Sequence, residues 1–560
     1  MTAKGKGKAL SRRDDIKLIF SCYAPRGKNL SAQGLLDFIQ KEQMNSQADM
    51  KAVEQIIENY EINKTVKAKK SMTFGGFLRY MESEDCSVNN KDHNKVYHDM
   101  DWALCHYFIS SSHNTYLIGD QLVGRSHLHA YVSALRRGCR CLEIDCWDGP
   151  DQEPVVYHGY TLTSKILFKE VIATIEQHAF EVSSYPVILS LENHCTPLQQ
   201  EMMAEYLKTI LGEKLLDMTI NDTFAKELPS PEELKNKILI KNKKIGLLQD
   251  TILKKGTNRH GEVGHCIEDD DDEEEAEEET AKCKSPNSRL TGEKKIALAM
   301  ALSDLVIYTK SIHFVSFKHS IANQKFYENT SLAEAKARKL AMNSGAKFVL
   351  HNMKFITRIY PAGSRALSSN YNPQEFWNVG AQMVALNFQS LGEAMDLNRG
   401  KFQDNGNCGY ILKPHFMRVS EKPFDPNAFQ PDFKPTNLLV KVISGYSLPV
   451  PRGSKGIDPY VRVEIHGVSA DNVKKQTNYV KKNAMNPRWD EIMTFAIQVP
   501  DLALVRFIVE DQNAILANEF IAQYTLHLTS MNPGYRWVPL LSKEGISLDP
   551  ASLFIYVWFS

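Results

Sequence analysis

The spacing of apolar positions divides the chain into four kinds of territory. Over residues 1–97 apolar side chains recur every three or four residues, as in Asp14-Asp-Ile-Lys-Leu-Ile-Phe20, Ala32-Gln-Gly-Leu-Leu-Asp-Phe-Ile39, Val53-Glu-Gln-Ile-Ile-Glu-Asn-Tyr60 and Phe74-Gly-Gly-Phe-Leu-Arg-Tyr80. This spacing predicts amphipathic helices. Over 98–245 short apolar runs alternate with helical spacing. Tyr107–Tyr116, Cys139–Gly149, Pro186–His194 and Lys237–Lys243 read as strands, and Tyr131–Arg137 and Leu167–Ile175 as helices. Periodicity stops over 246–294, which contains Glu268–Glu279, acidic except for Ala276. Alternation resumes over 295–414, with strands at Asp304–Tyr308, Phe355–Tyr360, Gln382–Phe388 and Gly409–Pro414 and helices starting at Ser331 and Asn372. Such alternation predicts a parallel sheet or an α/β barrel, here with a polar insert. A Pro-rich linker, 415–435, leads into 436–560, where β runs such as Leu438–Ile443, Tyr460–Ile465, Val505–Val509 and Leu553–Trp558 predict an antiparallel β-sandwich.

Composition narrows the function. The 560 residues carry 67 basic and 67 acidic side chains, a balance that argues against a general nucleic-acid binder. No run approaches the roughly 20 apolar residues of a membrane span, so membrane contact is expected to be peripheral. The basic N-terminus has no apolar stretch of the signal-peptide kind. Ten cysteines without regular spacing read as reduced thiols of a cytoplasmic protein. The helical region looks like paired helix-loop-helix units of EF-hand type. Its loops near Cys22–Ser31 and Asn59–Thr65 lack the alternating oxygen ligands that calcium needs, so it is read as a structural lobe.

Candidate chemistry gathers at the ends of the strand-like runs. The first delivers His113 and Asn114, and the second Glu143 and Asp145, two apart and hence on one face. His158 and Glu192 follow. Two imidazoles and three carboxylates at successive strand ends point to a metal-assisted site. Lys241 and Lys243 share a strand face, as do Arg358 and Tyr360, and Ser331 precedes an expected helix whose N-terminus could meet a phosphate.

Several motifs resemble those of eukaryotic phosphoinositide-specific phospholipase C. Tyr107-Phe-Ile-Ser-Ser-Ser-His-Asn-Thr-Tyr-Leu117, Leu142-Glu-Ile-Asp-Cys-Trp-Asp-Gly149 and Val187-Ile-Leu-Ser-Leu-Glu-Asn-His194 are similar to its first catalytic block. Thr357-Arg-Ile-Tyr-Pro-Ala-Gly363, Ser368-Ser-Asn-Tyr-Asn-Pro373 and Val384-Ala-Leu-Asn-Phe-Gln389 are similar to its second. The resemblance implies a multidomain chain: an EF-hand-like helical lobe (1–97), a TIM (β/α)8 barrel split into halves (98–245 and 295–414) by the acidic linker (246–294), and, past the 415–435 linker, a C2 sandwich (436–560). The pleckstrin-homology domain of most relatives is missing, and a first EF lobe with it, which resembles the zeta type before the delta type.

The implied reaction is calcium-dependent hydrolysis of phosphatidylinositol 4,5-bisphosphate to diacylglycerol and inositol 1,4,5-trisphosphate through a cyclic phosphate. It would drive intracellular calcium signalling, and egg activation at fertilisation if the zeta likeness holds. The resemblance assigns Asn114, Glu143, Asp145 and Glu192 to Ca2+, with Glu143 as general base ahead of Asp145, His158 as general acid and His113 as stabiliser of the phosphorane. It gives Lys241, Lys243, Ser331, Arg358 and Tyr360 to the inositol ring and its phosphates. In the sandwich, Asp458 and Asp511 match calcium positions and Asn513 replaces an aspartate. Lys474, Lys475, Lys481 and Lys482 could meet anionic lipid. Leu122, Tyr160 and Leu162 would form an apolar rim that dips into the bilayer; Ser364 and Arg338 depart from apolar positions there. The acidic insert is read as a restraint over the cationic mouth. The partner expected is a phosphoinositide membrane surface, bound peripherally by a monomer from the cytoplasm, with the nucleus a second location for a zeta type. The alternative is a catalytically inactive relative serving as a lipid- or partner-binding scaffold.

Overall fold

The computed structural model describes residues 11–24, 28–220, 226–253, 259–267, 295–419, 422–429, 433–513 and 517–560. The acidic run Glu268–Glu279, with its expected restraining role, lies outside them. The chain forms two compact units, Lys95–Gln430 and a second built from Met1–Asn94 with Pro431–Ser560.

In the first unit eight parallel strands close a barrel: β1 (Tyr107–Ser112), β2 (Cys141–Trp147), β3 (Val187–Asn193), β4 (Ile238–Lys241), β5 (Lys310–Ser311), β6 (Glu328–Ala333), β7 (Ile356–Tyr360) and β8 (Met383–Leu386). β1 pairs with β8, and a bridge from Asn242 to Lys310 joins the first four strands to the second four. Helices follow the strands in turn, among them Leu128–Arg136, Phe168–His178, Pro197–Leu211 and Glu334–Asn352.

The two-residue period of a strand builds the interior in layers. Ile109, Cys141, Ile188, Leu239, Ile356 and Met383 belong to one buried apolar cluster. Two residues further along the same strands stand Ser111, Glu143, Ser190, Lys241, Arg358 and Ala385, and two further still, past the ends of several strands, His113, Asp145, Glu192, Lys243, Tyr360 and Asn387. Each of these six strands thus passes from an apolar floor to the mouth at the C-terminal end, the face on which such barrels build their sites.

Four sequence expectations change. Asp304–Tyr308 is a turn, because Ile307 and Tyr308 join the apolar floor, and the strand is the two-residue Lys310–Ser311 beyond it. Ser331 lies inside β6 and the helix begins at Glu334, so Ser331 offers a hydroxyl from a strand and not a helix N-terminus. Gly409–Pro414 supplies no barrel stave; Tyr410–Leu412 runs antiparallel against β1. The segment 246–294, read as wholly irregular, contains a helix at Leu248–Leu253 and a strand at Val263–Ile267 that pairs with Lys295–Ala299, in register from Ile267 opposite Lys295 to Val263 opposite Ala299. The flanks of the acidic run are therefore held side by side.

The second unit joins the helical lobe to the β-domain. The lobe's helices Arg12–Tyr23, Ala32–Lys41, Met50–Tyr60 and Phe74–Met81 pack around Phe20, Phe38 and Phe77, and Leu30–Ser31 pairs antiparallel with Ser71–Met72. Eight antiparallel strands between Thr436 and Phe559 enclose an apolar core that includes Val440, Val463, Phe507 and Val557. Arg12 donates to Ser552 at 2.7 Å, Trp537 to the Ser83 carbonyl at 2.8 Å, and Arg488 pairs with Asp15. Among the described residues no helix is long and apolar enough to cross a membrane.

In the lobe a side chain does the tying that a cation does in a calcium-binding loop. The buried Glu61 carboxylate accepts from the Asn63 amide (2.7 Å), the Thr73 amide (2.6 Å) and the Thr73 hydroxyl (2.8 Å). A Cβ on Gly76 would stand 2.6 Å from its Oε2, so only glycine fits there. Burial pushes this carboxyl up, but the two amides, the Thr73 hydroxyl and Arg79 together outweigh it and hold it below its ordinary value. Glu61 therefore contributes stability that is present above the ordinary carboxylate range and lost as pH falls through the lowered value. Glu61→Ala should cost about 2 kcal/mol by stranding buried donors, and Glu61→Gln should flatten the acid limb of a stability-versus-pH curve measured by denaturant unfolding.

Candidate active site

Most of the residues singled out in the sequence meet at the barrel mouth. Carboxylate oxygens of Glu143, Asp145 and Glu192 lie within 4.8 Å of one another. β2 supplies the first two from one face, and Glu192 stands opposite Asp145 in the β2–β3 register. Glu143 Oε2 pairs with Arg358 Nη2 at 2.9 Å and accepts the Asn114 amide at 2.7 Å. Asn114 makes that bond from a left-handed backbone conformation, φ 39°, which turns the chain sharply where β1 ends.

Asp145 is the most constrained carboxylate. Tyr116 donates to its Oδ2 at 2.5 Å, whereas Oδ1 is buried without a hydrogen-bond partner. Burial, then the nearby Glu192 and Glu143, push its carboxyl well above the ordinary range. Three crowded carboxylates and an orphaned buried oxygen fit a hard divalent cation. Glu192 also pairs with His194 at 2.8 Å, and the His194 ring stacks on Trp147 with centroids 4.1 Å apart.

The cations come from both barrel halves. Arg358 is buried, and its Nε has no hydrogen-bond partner. Burial alone would lower its pKa, but Glu143 reverses this and holds the guanidinium firmly charged. Lys241 is buried and donates to Ser311 at 3.2 Å; burial and the neighbouring Arg358 bring its ammonium down to about 8. Ser331 is registered beside Arg358, and Tyr360 lies two residues beyond Arg358 on the same face. Lys243 is half-buried just past the end of β4.

The two imidazoles are held through their Nδ1 atoms. His158 Nδ1 lies 2.6 Å from the Gln121 carbonyl oxygen, which only accepts, so Nδ1 carries the proton. His113 Nδ1 lies 2.9 Å from Asn387 Oδ1. Burial lowers the His113 pKa, opposed by Glu143. Gln121, Asn387, Ser368 and His194 were not named from the sequence, although Ser368, Asn387 and His194 lie within the quoted motifs.

Around the mouth, Leu122, Tyr160 and Leu162 are 53%, 95% and 83% exposed, and Leu367, unforeseen, is 84% exposed. Two backbone bonds join their loops: Leu162 donates to the Leu122 carbonyl at 2.9 Å and Gln121 to the Ala366 carbonyl at 2.8 Å. Ser364 is exposed, while Arg338 is occupied by an ion pair with Glu375 at 2.7 Å. In the other unit, Asp511 Oδ1 accepts the Asp458 amide (2.7 Å), Asp458 Oδ1 accepts the Lys482 amide (2.8 Å), and Asn513 donates its amide to Asn518 Oδ1 (3.1 Å). Lys474 pairs with Glu464 at 3.1 Å and Lys475 donates to the Thr494 carbonyl at 2.6 Å, so half of the expected basic patch is already engaged.

Four family models match the chain. They are the X domain of phosphatidylinositol-specific phospholipase C over 100–244, its Y domain over 302–416, the EF-hand-like region of phosphoinositide-specific phospholipase C over 7–91, and the C2 domain over 436–540. The chain is 51% identical to the 1-phosphatidylinositol 4,5-bisphosphate phosphodiesterase zeta-1 of Macaca fascicularis, over 98% of this chain and 89% of that one. It is 48% identical to the delta-4 phosphodiesterase of Xenopus laevis, over 98% of this chain and 72% of that one. Among solved structures, the crystal structure of S. officinalis PLC21 matches at 36% identity with a TM-score of 0.82, covering 98% of this chain and 68% of that one. With the split barrel, the shared mouth and these likenesses together, the chain belongs to the phosphoinositide-specific phospholipase C family.

Proposed function

We propose that this chain hydrolyses phosphatidylinositol 4,5-bisphosphate at a membrane surface to diacylglycerol and inositol 1,4,5-trisphosphate, feeding intracellular calcium signalling. The observation that carries this reading is a pair of buried polar groups of opposite charge in one mouth, Asp145 Oδ1 and Arg358 Nε, neither with a hydrogen-bond partner. A buried carboxylate oxygen calls for a cation and a buried guanidinium N–H for an anion.

Asn114, Glu143, Asp145 and Glu192 are the residues to hold Ca2+, which when bound supplies positive charge to the phosphoryl oxygens and favours ionisation of the inositol 2-hydroxyl. Glu143 takes the 2-hydroxyl proton, with Asp145, its carboxyl raised, the second candidate. Arg358 serves two anions, Glu143 and a ring phosphate, so substrate binding draws charge away from the base it accompanies. Lys241, Lys243, Ser331 and Tyr360 complete the hold on the ring. With Nδ1–H committed to the Gln121 carbonyl, His158 uses Nε2 to give a proton to the departing diacylglycerol oxygen, then takes one from the water that opens the cyclic phosphate. His113, a neutral imidazole at rest with Nδ1–H directed at Asn387, presents Nε2 to the phosphorane oxygens; as the anionic substrate binds it takes a second proton there from solvent and stabilises them as an imidazolium.

The exposed rim of Leu122, Tyr160, Leu162 and Leu367 surrounds this mouth, which suits peripheral docking on a bilayer from the cytoplasm. In the C2 domain the carboxylates of Asp458 and Asp511 already accept backbone amides. With Asn513 in place of an aspartate, calcium binding there is weak and the lysines carry lipid contact.

His158→Gln should lower kcat on phosphatidylinositol 4,5-bisphosphate vesicles by about 10²- to 10⁴-fold with KM little changed, the range for loss of a general acid. Chelation of Ca2+ should abolish wild-type turnover. No hydrolysis by the wild type at any calcium concentration would instead leave the scaffold reading. Arg358→Ala should raise KM for the bisphosphate by about tenfold or more, the loss of one charge-assisted contact, and penalise unphosphorylated phosphatidylinositol less. Ser364→Trp should tighten vesicle binding in a sedimentation assay; unchanged binding would remove position 364 from the membrane-facing rim.

A further inference from the structure

The side chain of Gln121 has no place in the chemistry above, yet it touches Asn114, Ser368 and Asn387, and its carbonyl holds His158. Its side chain is buried. Oε1 accepts from Asn114 Nδ2 at 2.8 Å, and Nε2 donates to Ser368 Oγ at 2.9 Å and Asn387 Oδ1 at 3.3 Å. The same Asn387 oxygen meets His113 Nδ1. The Gln121 backbone carbonyl meets His158 Nδ1, and the next residue is the exposed Leu122 of the rim.

These contacts have a direction, because an amide has one accepting and one donating end. With Oε1 toward Asn114, that residue's Nδ2 is used, so its Oδ1 lies at the other end of the amide. With Nε2 toward Asn387, the Asn387 oxygen is an acceptor, so the proton of the His113 contact must sit on Nδ1. Two bonds outside the Gln121 contacts agree with this assignment. Asn387 Nδ2 donates to the Ser369 carbonyl at 3.2 Å, and Ser368 Oγ donates to the Gly119 carbonyl at 2.8 Å, leaving that oxygen to accept from Gln121. Reversing the Gln121 amide would set donor against donor at Asn114 and acceptor against acceptor at Asn387.

We propose that Gln121 is a positioning residue, whose amide fixes the donor and acceptor sense of Asn114 and, through Asn387, the tautomer of His113, from the loop that carries the apolar rim. This rests on the roles given above to Asn114 and His113. Gln121 touches no substrate atom; it sets which atom of each neighbour is available. Second-layer partners of this kind typically change activity or metal affinity by about 10- to 100-fold.

The test uses the full chain with Gln121→Met, close in shape but unable to donate or accept, and Asn387→Ala, which cuts the same path at its far end. Turnover is measured on a monomeric short-chain phosphatidylinositol 4,5-bisphosphate and on vesicles. The His113 tautomer is read from 15N-histidine spectra, the signal being assigned by its absence in His113→Ala. Gln121→Met should lower kcat about 10- to 100-fold on both substrates, with a smaller change in KM. The wild-type Nδ1-protonated His113 signal should give way to a mixture, and the double variant should lose little more than either single one. Wild-type kcat with an unchanged His113 signal would overturn the proposal, as would a loss confined to vesicles or fully additive losses. The spectra need no turnover, so they report on Gln121 even if the proposed reaction fails. If Gln121→Met does not fold, Gln121→Glu gives the same reading, since it keeps the acceptor for Asn114 and lacks the donor for Asn387.

Discussion

The ion pair between Glu143 and Arg358 is the contact on which the mouth depends. Its partners stand on β2 and β7, one from each half of an interrupted barrel. Both are buried, and taking either charge alone out of water costs several kcal/mol. In the first half Glu143, Asp145 and Glu192 crowd together, and in the second Arg358 brings the charge that answers them. Closing the barrel lets each half offset the charge the other has buried. The same requirement explains the layered interior. An apolar floor of Ile109, Cys141, Ile188, Leu239, Ile356 and Met383 lies below the pair, and burial, with Arg358 beside Lys241 and with Glu192 and Glu143 beside Asp145, moves the Lys241 ammonium down and the Asp145 carboxyl up.

Much of this could be read from the chain before folding, and the reason is period two. Cys141, Glu143 and Asp145 declare one strand face passing from apolar to acidic, and Ile356, Arg358 and Tyr360 declare the same for another. The reading faltered where that contrast is missing. β6 carries Asn329, Thr330 and Ser331 in its middle, so it shows no apolar alternation and resembles the start of a helix. β5 is only two residues long, too short for any pattern, while the apolar Ile307 and Tyr308 before it fill the floor. Gln121 was invisible for a different reason. Its importance comes from contacts to residues 247 and 266 positions away, Ser368 and Asn387, and nothing local marks a loop glutamine as a hub.

The lobe shows the opposite economy. Its loops lack the ligand pattern for calcium, and Glu61 does the tying with three hydrogen bonds and a glycine beside it. A cation site responds to calcium; a carboxylate bonded to backbone amides does not. The lobe is joined to the β-domain through Arg12, Asp15 and Trp537.

The antiparallel pairing of Val263–Ile267 with Lys295–Ala299 brings the two ends of the acidic insert together. A detour that leaves and returns at one place exerts no pull on the walls it leaves. Its length, charge and sequence are thus free to drift or be selected over evolutionary time without retuning the distance between Glu143 and Arg358. The chain between these strands can change while the mouth keeps its chemistry, because a single five-residue ladder joins its two ends.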